Sequence, residues 1–384
     1  MRRKIDWRTA TADRYARLRL IEWWDQEAVS RASVMVVGCG ALGSEVTRLL
    51  TLVGVGRIVV VDPDRIELHN LTRGVFFRSS DVGRFKAAVT ARRAQAMNPD
   101  VEVVPIVGLI ETHVGLGFLR TMSVLACCVD SIGARVAVSR MCYRAGVPWV
   151  NGGISPTAGE VTAFAASEPP CYVCTVSNEM WEREQVAHTC RGFRAVGTDR
   201  PVATTATAAS VVAAYQVQQI LTWLSPSDAA PRCLDHGQRA FFSLTPPSCM
   251  VSSIVPDPDC DSHERWESNV TVGGSPDTVT AQDVLQASGL EDGVLELGRE
   301  VVLRVQYPCC KHSRRVGRPL KLCTEEMLRC PKCGGETGEP TLIHEIRRTD
   351  RLAAKPLSAF GVPPRDILRV VPRNGGQPRY VAIG

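Results

Sequence analysis

The reading turns on two neighbouring stretches: SVMVVGCGALGS at Ser33–Ser44, and VVVDPDRIELHNLTRG at Val59–Gly74. In the first, an apolar run, Ser33–Val37, passes into Gly38-Cys39-Gly40-Ala41-Leu42-Gly43, and helical spacing begins at Ala41. A glycine turn between a strand and a helix lets the backbone approach an anion and aims free N–H groups at it. Gly38, Gly40, Ala41, Leu42 and Gly43 are therefore the expected phosphate-binding residues. Asp62 closes the next apolar run, Arg57–Val61, where a carboxylate meets a ribose hydroxyl. By itself this pattern suits a nicotinamide-dependent oxidoreductase and says little about the reaction.

Outward from this turn, apolar and amphipathic segments alternate. Strands are predicted at Ser33–Val37, Arg57–Val61, Val101–Val107, Ser123–Val129 and Pro148–Asn151. Helices are predicted at Ala41–Val53, Phe85–Met97 and Ala134–Ala145. Such alternation predicts an α/β fold: a doubly wound, Rossmann-like, mainly parallel sheet covered on both faces. Residues 1–32 read as a helical segment and 33–267 as the main domain. A stretch within it, 175–200, is polar and poorly periodic and reads as a loop. Residues 268–281 read as a Gly/Ser/Pro-containing linker, and 282–384 as a small β-rich C-terminal module.

Composition narrows the classes. Of 384 residues, 45% are hydrophobic and 22% charged, and the net charge is +5, so no basic or acidic excess marks a nucleic-acid partner. No apolar run approaches bilayer length, and no apolar stretch follows the basic N-terminus, so a cytoplasmic protein with no membrane contact is expected. Fifteen cysteines is a high count. In a reducing compartment, close pairs of them read as metal ligands rather than disulfides.

The residues after Asp62 settle the chemistry. Asp62-Pro63-Asp64 runs into Asn70 and Arg73, and Asp81-Val82-Gly83-Arg84-Phe85 leads to Lys86. Asp130 follows the strand Ser123–Val129. Hydride transfer needs none of these groups, whereas reaction at an α-phosphate needs preorganised cations and a metal carboxylate. This ordered set resembles the adenylation domain of the superfamily that includes the ubiquitin-activating enzymes, MoeB and ThiF. Arg14-Tyr15-Ala16-Arg17 is similar to that family's Arg-Tyr-x-Arg element, and the likeness extends over about residues 10–265.

The resemblance implies ATP and Mg²⁺ as cofactors, with Asp62, Asp64, Asn70, Arg73, Lys86 and Asp130 around them. It implies adenylation of the C-terminal glycine of a ubiquitin-like or sulfur-carrier protein, and Arg17 reaching the ATP of a neighbouring protomer in a homodimer. It also implies that the 175–200 loop crosses over the active site and carries a catalytic Cys190, beside His188, forming a thioester for transfer to a conjugating enzyme. The chain departs from the family where Arg73-Gly74 replaces Arg-Gln and Val129-Asp130-Ser131 replaces Thr-Asp-Asn. A sulfur-carrier adenylyltransferase of the thiamine or molybdopterin type is the nearest rival expectation. A zinc-containing scaffold that has lost catalysis is another.

Two zinc sites are expected. Cys171-x₂-Cys174 with Cys260-x₂-His263 supplies four ligands suited to a closed tetrahedral site. In the C-terminal module, Cys330 and Cys333 pair with Cys309 or Cys310, and His312 or Cys323 completes the set. Cys309 with His312 is the expected choice.

Overall fold

The computed structural model describes residues 13–384 apart from 178, 181–202, 228 and 335–336. These residues form two compact units. One comprises 13–110, 120–176 and 203–264, and the other is mainly 111–119 and 265–384.

The first unit is built around central strands that are apolar on both faces. β1 (Ser33–Val37), β2 (Arg57–Val61), β3 (Glu102–Ile106), β4 (Val124–Cys127) and β5 (Trp149–Ile154) pair in parallel. β6 (Ala158–Phe164), β7 (Gln238–Leu244) and β8 (Pro247–Ser253) continue the sheet antiparallel. The strand order is β3-β2-β1-β4-β5-β6-β7-β8. The chain leaves β1 toward β2 and later returns to β4 on β1's other side. The carboxyl ends of β1 and β4 therefore flank a topological switch point, the usual crevice for a ligand.

One face of the sheet is covered by the helices Ala41–Val53 and Ala206–Leu224. Leu42, Val46, Leu50, Val212, Ile220 and the strand residues Val34, Val36, Ile58 and Val60 form its core. Glycine is required at two points beside β1. Gly38 has φ +91°, and a Cβ at Gly43 would lie 1.7 Å from the carbonyl of Gly38.

In the second unit β10 (Gly293–Tyr307) is the organising strand, preceded by β9 (Val270–Val272). β10 pairs with β11 (His312–Pro319), β12 (Glu339–Arg347) and β13 (Ile367–Pro372), and β14 (Arg379–Ile383) joins β13 to β9. Its apolar residues fall into two clusters. One lies around Leu285, Leu295, Phe360 and Val370, and a smaller one joins Val302, Val305, Tyr307, Cys323, Leu328 and Cys330.

The expected mainly parallel sheet and its order of elements are present. Several local readings differ. Within the stretch read as an N-terminal helical segment, the described part holds only a 3₁₀ turn, Leu18–Leu20, and a helix, Gln26–Arg31. Asp25 starts that helix as its N-cap, accepting from the backbone N–H of Ala28. The stretch read as a linker contains β9, a strand of the second sheet. β7 and β8, a hairpin of two full strands, are absent from the strands expected from the sequence. No helix among the described residues is long and apolar enough to cross a membrane.

Candidate functional site

The crevice is assembled by backbone bonds at the strand ends. Gly38 N donates to Val61 O at 2.8 Å and Cys128 N to Val37 O at 2.8 Å, which locks the glycine turn between β2 and β4. Gly40 takes the N-cap position of the helix Ala41–Val53 with no side chain to cap it. The helix's first N–H groups are thus left for an anion. A Cβ at Gly40 would meet nothing within 4 Å, so this side of the turn is open.

Asp62 is held at the mouth. Its Oδ2 accepts from Cys39 N at 2.6 Å and its Oδ1 from Asp64 N at 2.8 Å. Burial pushes its carboxyl up to about 6, with Lys86 pulling down and Asp64 pushing up. Lys86, the first residue of the helix Lys86–Met97, places Nζ 2.8 Å from Asp64 Oδ2. Burial works against its charge. Asp62, Asp64 and Asp130 outweigh that effect and hold its pKa above the ordinary lysine value. Lys86, Asp62, Asp64 and Asp130 therefore share one electrostatic neighbourhood beside the glycine turn.

The remaining sequence-derived residues are placed differently. Asn70 is buried, and its Oδ1 accepts from Glu67 N at 2.9 Å, holding the 3₁₀ turn Leu68–Thr72 that ends at Arg73. Arg73 donates to His69 O at 3.2 Å and makes no ion pair among the described residues. Arg17 is exposed beside the turn Leu18–Leu20 and likewise has no ion pair there. Cys190 and His188 lie outside the described residues.

Two side chains that the sequence reading passed over hold the crevice from behind. Gln216, fully buried, donates to Cys127 O at 3.0 Å and Val150 O at 2.8 Å, tying β4 to β5. Arg135 bonds the carbonyl of Val129, directly before Asp130. A glutamine in an otherwise apolar helix and an arginine one turn beyond a candidate carboxylate were the available signals.

Two groups of ligating side chains could hold a metal: Cys171, Cys174, Cys260 and His263, and Cys309, Cys310, Cys330 and Cys333. In the first, Cys171 Sγ lies 3.9 Å from Cys174 Sγ and 3.7 Å from Cys260 Sγ, and Cys174 Sγ lies 3.3 Å from His263 Nε2. A tetrahedral zinc with Zn–S of about 2.3 Å has S···S edges of about 3.8 Å, so these side chains fit that ion. Burial lowers the His263 pKa, which favours the neutral imidazole a metal needs. Arg140 braces the loop between the last two ligands through Ser262 Oγ at 3.0 Å and Asp261 at 3.1 Å.

In the second group the structure brings in Cys310 where His312 was expected. His312 begins β11, and its ring lies against Tyr307 instead. Cys309 and Cys333 sulfurs are 3.6 Å apart. The N–H groups of Cys333 and Lys332 pull the Cys330 thiol down to about 7, toward the thiolate that ligates.

The sequence profile described as the ThiF family matches residues 12–246. A sulfur carrier protein adenylyltransferase of Thermus thermophilus is 36% identical over 176 residues, 44% of this chain and 65% of the relative. The human ubiquitin-like modifier-activating enzyme 7 is 37% identical over 175 residues, 39% of this chain but 17% of the relative. The chain thus spans about two thirds or less of the length of these curated relatives. Among solved structures, E. coli MccB with ATP superimposes with a TM-score of 0.53 at 23% identity, over 65% of this chain and 74% of that one, a likeness of fold.

Proposed function

The chain belongs to the ThiF family, and on that premise we propose that it adenylates the C-terminal carboxylate of a small glycine-tailed carrier protein, using ATP. The observation that carries this is the gathering of Lys86, Asp62, Asp64 and Asp130 beside an open glycine turn. The relatives are named for a sulfur carrier protein and a ubiquitin-like modifier, which supports a carrier protein as the substrate here.

The helix N-terminus at Gly40–Gly43 receives the triphosphate, and Asp62 accepts from the ribose. Lys86, now resting on Asp64, turns its ammonium to the phosphates, and Arg73 offers a guanidinium free of carboxylate partners among the described residues. The carrier's carboxylate oxygen attacks the α-phosphorus. The bond from that phosphorus to the β-bridging oxygen breaks, and pyrophosphate leaves with the electron pair. No general base is needed, because a terminal carboxyl is ionised at neutral pH.

Asp130 fits a hard divalent cation. Its carboxylate is exposed, makes no ion pair among the described residues and stands near the triphosphate's place. Mg²⁺ there would offset charge on the phosphoryl oxygens. Arg17 is assigned to the partner protomer's nucleotide in a homodimer, and Cys190 to thioester formation after adenylation.

Intact-mass analysis of a glycine-tailed carrier incubated with the protein, Mg²⁺ and ATP tests the reading. A carrier heavier by one AMP supports it. A further thiol-sensitive adduct that Cys190→Ala removes would place the chain with the conjugation enzymes. An adenylate with no such adduct would place it with the sulfur-carrier activators. No adenylate with any carrier of either kind would refute the proposal.

A further inference from the structure

We propose that Arg135 is the positioning residue that fixes the Asp130 turn for its metal, braced by Glu160 and Arg239. The proposal rests on the reading of Asp130 given above. Four residues, Cys128 to Ser131, connect β4 to the helix Ile132–Ala145. The start of this connection is held by the Cys128 N–H on Val37, and its end by Ser131 Oγ, which accepts from Ala134 N at 3.2 Å. Asp130 lies between these anchors, and its side chain makes no ion pair among the described residues.

Arg135 supplies the missing restraint. Its Nε and Nη2 both donate to Val129 O, at 3.3 and 2.9 Å, and Nη2 also donates to Gly152 O at 3.3 Å. One planar group therefore pins the carbonyl next to Asp130 against β5. The far edge of the guanidinium faces Glu160, with Nη1 3.8 Å from Oε1. Glu160 in turn lies 3.7 Å from Arg239 on β7. The Arg135 side chain is only 15% exposed. A buried cation needs partners for its charge and its protons, and here the two carbonyls that set the turn are joined by Glu160 and Tyr172 beside the guanidinium. Lysine, a single ammonium, spans one such acceptor and not the fork. Arg135 touches neither nucleotide nor metal in this account; it acts through the backbone.

A carboxylate displaced by about 1 Å loses on the order of a hundredfold in function, and a smaller shift loses proportionately less. The test is Mn²⁺ binding, read by electron paramagnetic resonance, to the full-length protein saturated with α,β-methylene ATP. Arg135→Lys is expected to weaken Mn²⁺ about tenfold. Binding of the analogue in EDTA should change less than about twofold, and the melting temperature should stay within a few degrees. If Arg135→Lys does not fold, Glu160→Gln serves in its place. It leaves the carbonyl bonds but loosens the fork, and is expected to weaken Mn²⁺ by about threefold.

Mn²⁺ affinity within twofold of wild type, or an equal loss of metal-free nucleotide binding, would overturn the proposal. Asp130→Ala separates the two ideas. If it binds Mn²⁺ as wild type does, the reading of Asp130 falls and this inference with it. If it loses Mn²⁺ while Arg135→Lys does not, only this inference falls.

Discussion

The two units carry a similar four-ligand cysteine group on very different foundations. In the first, Cys171, Cys174, Cys260 and His263 join chain segments 89 residues apart, beside a sheet whose strands already bury a broad apolar core. In the second, Cys330 is itself a member of a small core with Val302, Val305, Tyr307, Cys323 and Leu328. A metal held by these groups would staple distant segments of the first unit, and in the second would tie a mostly exposed ligand set to the small core through Cys330. Small apolar interiors lean on such ions, because they bury too little surface to offset chain entropy.

The largest expected effect separates chemistry from stability within the first unit. Asp130→Ala should reduce adenylate formation by about a thousandfold, the scale of removing one preorganised electrostatic partner. The melting temperature should not fall, since Asp130 is exposed and makes no ion pair among the described residues.

Next, Cys330→Ser should release one zinc by metal analysis and remove hydrogen-exchange protection over β10–β12. Adenylate formation by the first unit should stay within about threefold. Equal loss of protection in β1–β5 would break the comparison.

The site carboxylate gives a third effect. Asp62 has its folded pKa raised from 3.8 to about 6. The protonated form is favoured by folding, so this contribution is full below pH 3.8 and is lost as pH rises through 6. At pH 7 the buried charge costs about 2–3 kcal/mol, the product of the shift and about 1.4 kcal/mol per pKa unit. Asp62→Asn, whose amide can accept only one of the two N–H bonds at Cys39 and Asp64, should therefore lose less stability than the wild type between pH 4 and 7, and should bind ATP more weakly. Nucleotide affinity of the wild type should rise between pH 5 and 7.

The smallest effect sharpens the contrast of the two metals. Cys260→Ser should lose the other zinc and lower the melting temperature by several degrees, with β1–β5 keeping their protection.

Much of this was legible in the sequence, for identifiable reasons. The runs at Ser33–Val37 and Arg57–Val61 are apolar on both faces and end in Gly38 and Asp62, so strand, turn and site arrive together. Lys86 and Asp130 stood out in the sequence through the family resemblance, and the structure sets their charges within reach of each other. Arg135 could not, because its role lies in bonds to the carbonyls of Val129 and Gly152, and a helix arginine reads as a solvated charge.

The strand Val270–Val272 hid among turn residues, since three residues carry no period and gain their partner only from β14, more than a hundred positions on. The choice of Cys310 over His312 depended on the hairpin geometry at Lys311, whose left-handed backbone turns His312 into β11. Residues 111–119 joined the second unit through Asp366, which accepts from Leu116 N at 3.0 Å, a bond with no local signature.

The most direct test of the central claim is exchange of radiolabelled pyrophosphate into ATP. Label should enter ATP only when a glycine-tailed carrier is present, and almost none should enter with Asp130→Ala. Exchange that ignores the carrier, or that survives undiminished in Asp130→Ala, would contradict the claim.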